Sequence, residues 1–178
     1  GLAVDMDRSI VEAVMQQTGT AVGHTLSINL TRQSVLDPAF HQWLADILKD
    51  SPVSSRLAFE VAEPIMDSEP DAVLGLAAVV HAHGGQVGLD RCGASGIALD
   101  RLRTHKAHYH KIDGQFIRDV HASPERQRYL EAMLQLRHGL DIIVIAERVE
   151  SAPELDSLRA LGVDGAQGFF IGEPRSEE

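Results

Sequence analysis

With a single cysteine, Cys92, the chain has no internal disulfide to rely on, and a reducing compartment suits it. Nothing in it approaches the roughly 20 consecutive apolar residues that a membrane-spanning helix needs, and no secretory signal is visible. No cluster of Lys and Arg offsets the formal net charge of −10. That excludes the electrostatic grip on a phosphate backbone by which DNA or RNA is bound without sequence preference. Low-complexity linkers and charge runs are also missing, so residues 1–178 read as one domain with no internal boundary. No glycine-rich phosphate fingerprint follows the first strand, which weighs against a dinucleotide-binding sheet. The chain begins at Gly1 rather than Met, which is expected of a fragment of something longer.

What is present is 178 residues, 44% of them hydrophobic with charge interspersed, enough for one soluble domain with a substantial core. Val4, Met6, Ile10, Val11 and Val14 recur at helical spacing, which predicts a helix over Leu2–Met15. His24–Leu30 alternates and predicts a strand ending near Asn29. Asp37-Pro38 is a helix start, followed by Phe40, Trp43, Leu44, Ile47 and Leu48. Further along, strands are predicted at Leu57–Glu63, Val87–Asp90, Ala107–Asp113, Asp141–Glu147 and Gly165–Ile171. Helices are predicted at Ser68–Ala82, around Leu99–Arg103, at Pro124–His138 and at Ala152–Leu161. This alternation implies right-handed β-α units around a parallel sheet, either open and doubly wound or most of an eight-stranded barrel.

Side chains alternate along a strand, so a polar residue near its carboxyl end can be assigned a face from its apolar neighbours. Leu57, Phe59 and Val61 share one face, which leaves Glu60 on the other among Ala58 and Ala62. The same parity groups Tyr109 with Lys111 and Asp113, and Ile143 with Ile145 and Glu147. The inward polar set becomes Asn29, Glu60, Asp90, Lys111, Asp113, Glu147 and Gln167, expected to line one mouth. Carboxylates gathered in this way repel unless something positive lies between them. Oxygen donors suit Mg²⁺ or Mn²⁺, and a pair of such ions about 3.5–4 Å apart serves phosphoester hydrolysis. By contrast, His108 and His110 fall on the helix-facing side and His105 precedes the strand, so His105-x-x-His108-x-His110 is read as structural. Phe169-Phe170 is read as core.

Six stretches, in order and spacing, resemble the motifs of EAL domains: Ser27-Ile-Asn-Leu30, Phe59-Glu-Val-Ala-Glu63, Gly88-Leu-Asp-Arg-Cys-Gly93, Lys111-Ile-Asp-Gly-Gln-Phe116, Ala146-Glu-Arg-Val-Glu150 and Gln167-Gly168. EAL domains are bacterial modules that hydrolyse or sense cyclic di-GMP. The resemblance implies a (β/α)8 TIM-like barrel, here incomplete at its amino end because the Glu-Ala-Leu signature is not in the chain. It implies two Mg²⁺ or Mn²⁺ ions and conversion of cyclic di-GMP to linear pGpG. On the matching positions, Asn29, Glu60, Asp90 and Glu147 resemble metal ligands, and Lys111 and Asp113 resemble the groups near the attacking water. Glu63 resembles a support for the loop after Asp90, and Gln167 a further pocket residue.

Three departures stand against full activity. Arg91 replaces the family's second aspartate, Ser95 replaces a glycine, and Arg148 stands where the family typically has glycine. An Arg in place of a carboxylate swings the local charge by two units. At about 4 Å and an effective dielectric near 20, each unit interaction is worth about 4 kcal/mol, which disfavours a neighbouring dication. Arg91 can instead pair with Asp90 or Glu60, or grip a phosphate. The expected function is therefore a catalytically degenerate EAL domain acting as a cyclic di-GMP receptor or signalling scaffold, with no metal pair bound and with Asn29, Arg91, Glu147 and Gln167 toward the ligand. An active Mg²⁺- or Mn²⁺-dependent phosphodiesterase and a protein-interaction module without nucleotide binding are the alternatives. The setting expected from the resemblance is cytoplasmic, alone or as the cytoplasmic part of a membrane-anchored protein. A degenerate cyclase-like domain, other signalling proteins or a second copy are the expected partners.

Overall fold

The structure is a computed structural model and describes residues 1–18, 24–94, 103–104 and 106–173. Contacts divide the chain into two compact units, residues 1–89 with the described part of 97–108, and residues 90–94 with 109–173. Ser95, His105 and most of the helical piece expected at Leu99–Arg103 lie outside the described residues.

The first unit opens with α1 (Leu2–Thr18), then β1 (Leu26–Asn29), α2 (Arg32–Leu36), α3 (Pro38–Leu48), β2 (Leu57–Ala62), α4 (Glu63–Ser68), α5 (Pro70–Ala82) and the first part of β3 (Gln86–Cys92). Strands β1 and β2 run parallel, with Leu26 opposite Leu57 and Asn29 opposite Glu60. The Asp37 carboxylate caps α3 by accepting from the Ala39 N–H at 2.9 Å, and Pro38 supplies the preset first turn. Phe40, Leu44, Leu57, Phe59, Val73, Leu76 and Val80 form the fully buried interior of this unit. Each such side chain contributes about 1.5–3 kcal/mol through burial. Helix α5 stops where Gly84 takes the left-handed conformation, at φ +77°.

Helix α1 corrects the sequence pattern. Val4, Asp7 and Val11 are its buried face, whereas Met6 and Ile10 are 55% and 45% exposed. The helix carries two apolar stripes, and a hydrogen bond decides between them. The buried Asp7 carboxylate accepts from the Thr31 N–H at 2.9 Å and the Thr31 hydroxyl at 2.7 Å. Helices α2 and α4 were not expected; Glu63 opens α4 rather than closing β2, because Pro64 in the next position cannot donate to a ladder.

The second unit takes the end of β3 from Asp90, then β4 (Tyr109–Ile112), α6 (Gly114–Ile117), α7 (Pro124–His138), β5 (Ile143–Ala146), α8 (Ala152–Leu161) and β6 (Gly165–Ala166). Strands β4, β5 and β6 are parallel neighbours, with Lys111 opposite Ile145 and Ala146 opposite Ala166. Ile112, Ile117, Leu130, Val144, Ala146, Val149 and Leu158 pack into one core. Beneath it the buried Arg137 of α7 donates its Nε–H to Nδ1 of buried His110 at 3.0 Å. A cation in the interior is tolerable only with such partners.

The last strand is much shorter than expected, and Phe169, Phe170 and Ile171 are exposed rather than core. The chain leaves the ladder because it folds over Val149. Val149 N–H donates to the Gln167 carbonyl, and Phe170 N–H donates to the Val149 carbonyl. Gly168 permits this approach; a Cβ there would lie 2.3 Å from the Val149 backbone. Among the described residues no helix is long and apolar enough to cross a membrane.

Two titrations should read out this packing. His81 of α5 meets His108 edge to face at 5.0 Å between ring centroids. Burial, then the charges of His108 and Lys106, hold His81 below the ordinary value of 6.5. The unfolded chain therefore binds the proton more readily, so this stabilisation is complete above 6.5 and is lost as pH falls through the folded value. Melting temperature should drop between about pH 7.5 and about pH 5.5, and His81→Gln should flatten that slope. Glu154 is the opposite case. Burial would raise its pKa, but hydrogen bonds from the N–H groups of Glu150, Asp119 and Ser151 outweigh burial and lower it. Its stabilisation is present above 4.5 and is lost as pH falls through the folded value. Glu154→Ala should cost about 2 kcal/mol in urea unfolding near neutral pH, and less in acid.

Candidate functional site

In the first unit, Asn29 is the last residue of β1 and stands in register with Glu60 of β2. Glu60 is 1% exposed, whereas Asn29 presents its side chain to solvent. The Leu30 N–H donates to the Glu60 carbonyl at 2.9 Å, so the ladder continues one residue past Asn29. The chain is then held again, because Asp7 binds Thr31, the residue that caps α2. This arrangement fixes the direction in which Asn29 leaves the strand. Asp7 has no place in the motif pattern, yet a signal for it exists: a carboxylate three residues after Val4 and four before Val11 falls on a helix's buried face, where it must find donors. Glu63, the first residue of α4, is fully buried.

In the second unit the polar residues sit at the ends of β3 to β6. Lys111 is buried within β4. Asp113, Glu147 and Gln167 are each the first residue beyond a strand, and each donates its backbone N–H to the last residue of the preceding strand. The acceptors are Cys92 at 3.0 Å, Ile112 at 3.1 Å and Ala146 at 2.8 Å. Asp113 has a structural duty as well, since its carboxylate caps α6 by accepting from the Gln115 N–H at 2.9 Å.

Asp90 and Arg91 lie near the carboxyl end of β3, just before the turn at Gly93. The Asp90 carboxylate accepts from the Arg91 N–H at 2.8 Å, and the Arg91 Nε lies 3.9 Å from its other oxygen. Of the two partners anticipated for Arg91, Asp90 is thus one that it takes. The guanidinium side chain is 67% exposed, so this pair is worth little in stability. Arg91 stands at φ +55°, a region that bulky side chains rarely occupy and that collects at functional turns.

Arg148 repeats that conformation at φ +54°, immediately after Glu147. Its stem lies over Gly114, where a Cβ would come within 2.7 Å of two of its carbons. Arg148, Glu147, Glu150, Gln167 and Phe169 line a cleft of about 350 Å³. That cleft offers a cation, an amide, two carboxylates and an aromatic ring that is 70% exposed. These groups suit a ligand with phosphate and planar ring character.

The oxygen donors that would suit a hard dication are Asn29 and Glu60 in the first unit and Asp90 and Glu147 in the second. Within either unit, among the described residues, no three His, Cys, Asp or Glu side chains are gathered closely enough to hold a metal. His108 and His110 are committed elsewhere. His108 Nδ1 lies 3.3 Å from the Val87 N–H that it accepts, and His110 Nδ1 accepts from Arg137.

Comparison with known proteins identifies the family and the fold. The model of the EAL domain family matches residues 1–174. The Escherichia coli (strain K12) protein named "Probable cyclic di-GMP phosphodiesterase PdeG" is 26% identical over 183 residues, covering 98% of this chain and 36% of that protein. The chain thus spans about a third of that relative's length. The EAL domain of FimX from Pseudomonas aeruginosa, solved bound to c-di-GMP, superposes with a TM-score of 0.90 at 25% identity, over 98% of this chain and 72% of that one. Klebsiella pneumoniae BlrP1, solved as a manganese/cy-diGMP complex, gives a TM-score of 0.81 at 26% identity, over 93% and 43%. The fold is accordingly the EAL type of TIM-like barrel that the motifs imply, and its relatives include cyclic di-GMP phosphodiesterases. With the family model matching residues 1–174, the chain belongs to the EAL domain family.

Proposed function

We propose that this chain is a catalytically degenerate EAL domain that takes up cyclic di-GMP as a receptor or scaffold in a signalling protein. The observation that carries the reading is Arg91, a permanent cation in the position of the family's second aspartate, bonded back to Asp90. A carboxylate pair at this turn would attract a second dication; an Asp-Arg pair is neutral and repels one relative to it. The same guanidinium suits the phosphodiester of the nucleotide, which needs no metal to be held. Arg148 beside Glu147 adds positive charge at another strand end. The family ligand comes to this chain from relatives solved with c-di-GMP. A cytoplasmic setting, with or without a membrane anchor elsewhere in the protein, fits that ligand.

An active enzyme is the second reading, and one observation favours it. The Arg91 side chain is largely exposed and lies 3.9 Å from Asp90, far enough to swing clear. In that case Asn29, Glu60, Asp90 and Glu147 would hold Mg²⁺ or Mn²⁺, which supplies a polarised phosphoryl group and a water made acidic. Lys111 would neutralise charge on the phosphoryl oxygens, and Asp113 would orient the water.

Calorimetric titration separates these readings. Cyclic di-GMP should bind with and without Mg²⁺ at comparable affinity, and Arg91→Ala should weaken binding about tenfold, as expected for a lost charged contact. Binding that appears only with the metal favours the enzyme, and no binding under either condition leaves a protein-interaction module. Turnover is followed by chromatography of pGpG with Mg²⁺ or Mn²⁺ present. The unmodified chain should make none at a useful rate, and Arg91→Asp alone should not restore it, because Ser95 and Arg148 remain. Misplacement of a reacting group by about 1 Å can cost on the order of a hundredfold. Steady pGpG production by the unmodified chain would overturn the receptor reading, and robust rescue by R91D would show that charge alone had silenced the site.

A further inference from the structure

The end of β3 and the turn after it hold two residues in positive φ, Arg91 at +55° within the strand and Gly93 at +120° just beyond it. A backbone of this kind persists only where its surroundings over-determine it. Those surroundings come from the segment after β4. The Asp113 N–H donates to the Cys92 carbonyl at 3.0 Å. The Phe116 ring lies so close to Gly93 that a Cβ there would stand 2.8 Å from it, with Met133 Cε at 3.2 Å. Tyr129 of α7 stacks on Phe116, with centroids 5.2 Å apart and planes 28° apart, and its hydroxyl donates to the Gly93 carbonyl oxygen. Tyr129 and Met133 are four residues apart on α7, so one face of that helix delivers both to the same glycine. Tyr129 remains 43% exposed, so burial is a small part of what holds its ring there.

We propose that Tyr129 is a positioning residue. With Phe116 it clamps the Gly93 carbonyl, and the clamp fixes the end of β3 from which the Asp90 carboxylate and the Arg91 guanidinium are presented to ligand. The ligand side of this inference rests on the cyclic di-GMP reading; the clamp itself does not.

Tyr129→Phe keeps the stack and removes only the hydroxyl. Amide hydrogen exchange at Cys92 and Gly93 should then speed up roughly five- to tenfold, the worth of one hydrogen bond. The buried Cys92 thiol should react faster with a disulfide reagent. Exchange in β1 and β2 should change far less than at Cys92 and Gly93, and the melting temperature should fall by no more than about 4 °C, which a general loss of structure would exceed. Affinity for cyclic di-GMP should fall by a similar factor. Gly93→Ala, which forces a methyl group into the Phe116 ring, should move the same amides further. Unchanged exchange at Cys92 and Gly93 in the Phe variant would overturn the clamp, whatever the ligand does. Faster exchange in a chain whose unmodified form takes up no cyclic di-GMP would support the clamp and discard the ligand reading. Faster exchange with undiminished affinity in a chain that does bind would overturn the positioning role.

Discussion

Parallel pairing carried one residue beyond β1, β4, β5 and β6 is the constraint on which the candidate site depends. Asp113, Glu147 and Gln167 are anchored by their own N–H groups to the final carbonyls of β3, β4 and β5, and Leu30, just beyond Asn29, donates its N–H to the Glu60 carbonyl of β2. A side chain on an unpaired loop would pay conformational entropy on meeting a ligand. Here the backbone under each polar group is already ordered. The hydrogen bonds that make the sheet are also the ones that aim the chemistry.

Carboxylates in this chain do two kinds of work, and geometry separates them. Asp7, Asp37 and Glu154 spend their oxygens on backbone N–H groups at helix starts or on the cap residue itself. Asp113 sits between the classes, since it caps α6 while standing at a strand end. Glu60 stands within β2 opposite Asn29, and Glu147 follows β5 with its N–H bonded to the Ile112 carbonyl. A negative net charge thus need not mean an acidic binding surface; several of the acids are structural donors' partners.

The departures from the family pattern also have local structural partners. Arg148 occupies a left-handed position that a glycine would take without strain, and Gly114 leaves the room its stem requires. Arg91 occupies a second left-handed position and is held through the turn that Phe116 and Tyr129 brace. Both cations emerge from backbone that side chains of their size rarely adopt, and both lie next to an acid of the candidate site. Neighbouring residues accommodate the change of charge as well as the change of shape.

The sequence by itself determined the alternation of strands and helices, the bounds of α7 and α8, and the cap at Asp37. These follow from periodicity, proline and glycine placement, and side-chain alternation, all of which are local. Tertiary structure alone decided which stripe of α1 is buried, because Met6 and Ile10 are as apolar as Val4 and Val11 and only the bond from Thr31 to Asp7 breaks the tie. It decided that Phe169 and Phe170 are exposed, since an aromatic pair reads as core until the chain is seen folding over Val149. It also decided that Tyr129 reaches Gly93, a contact across 36 residues that no local pattern encodes. Spacing along a chain records the period of its elements; which distant groups meet depends on how those elements pack.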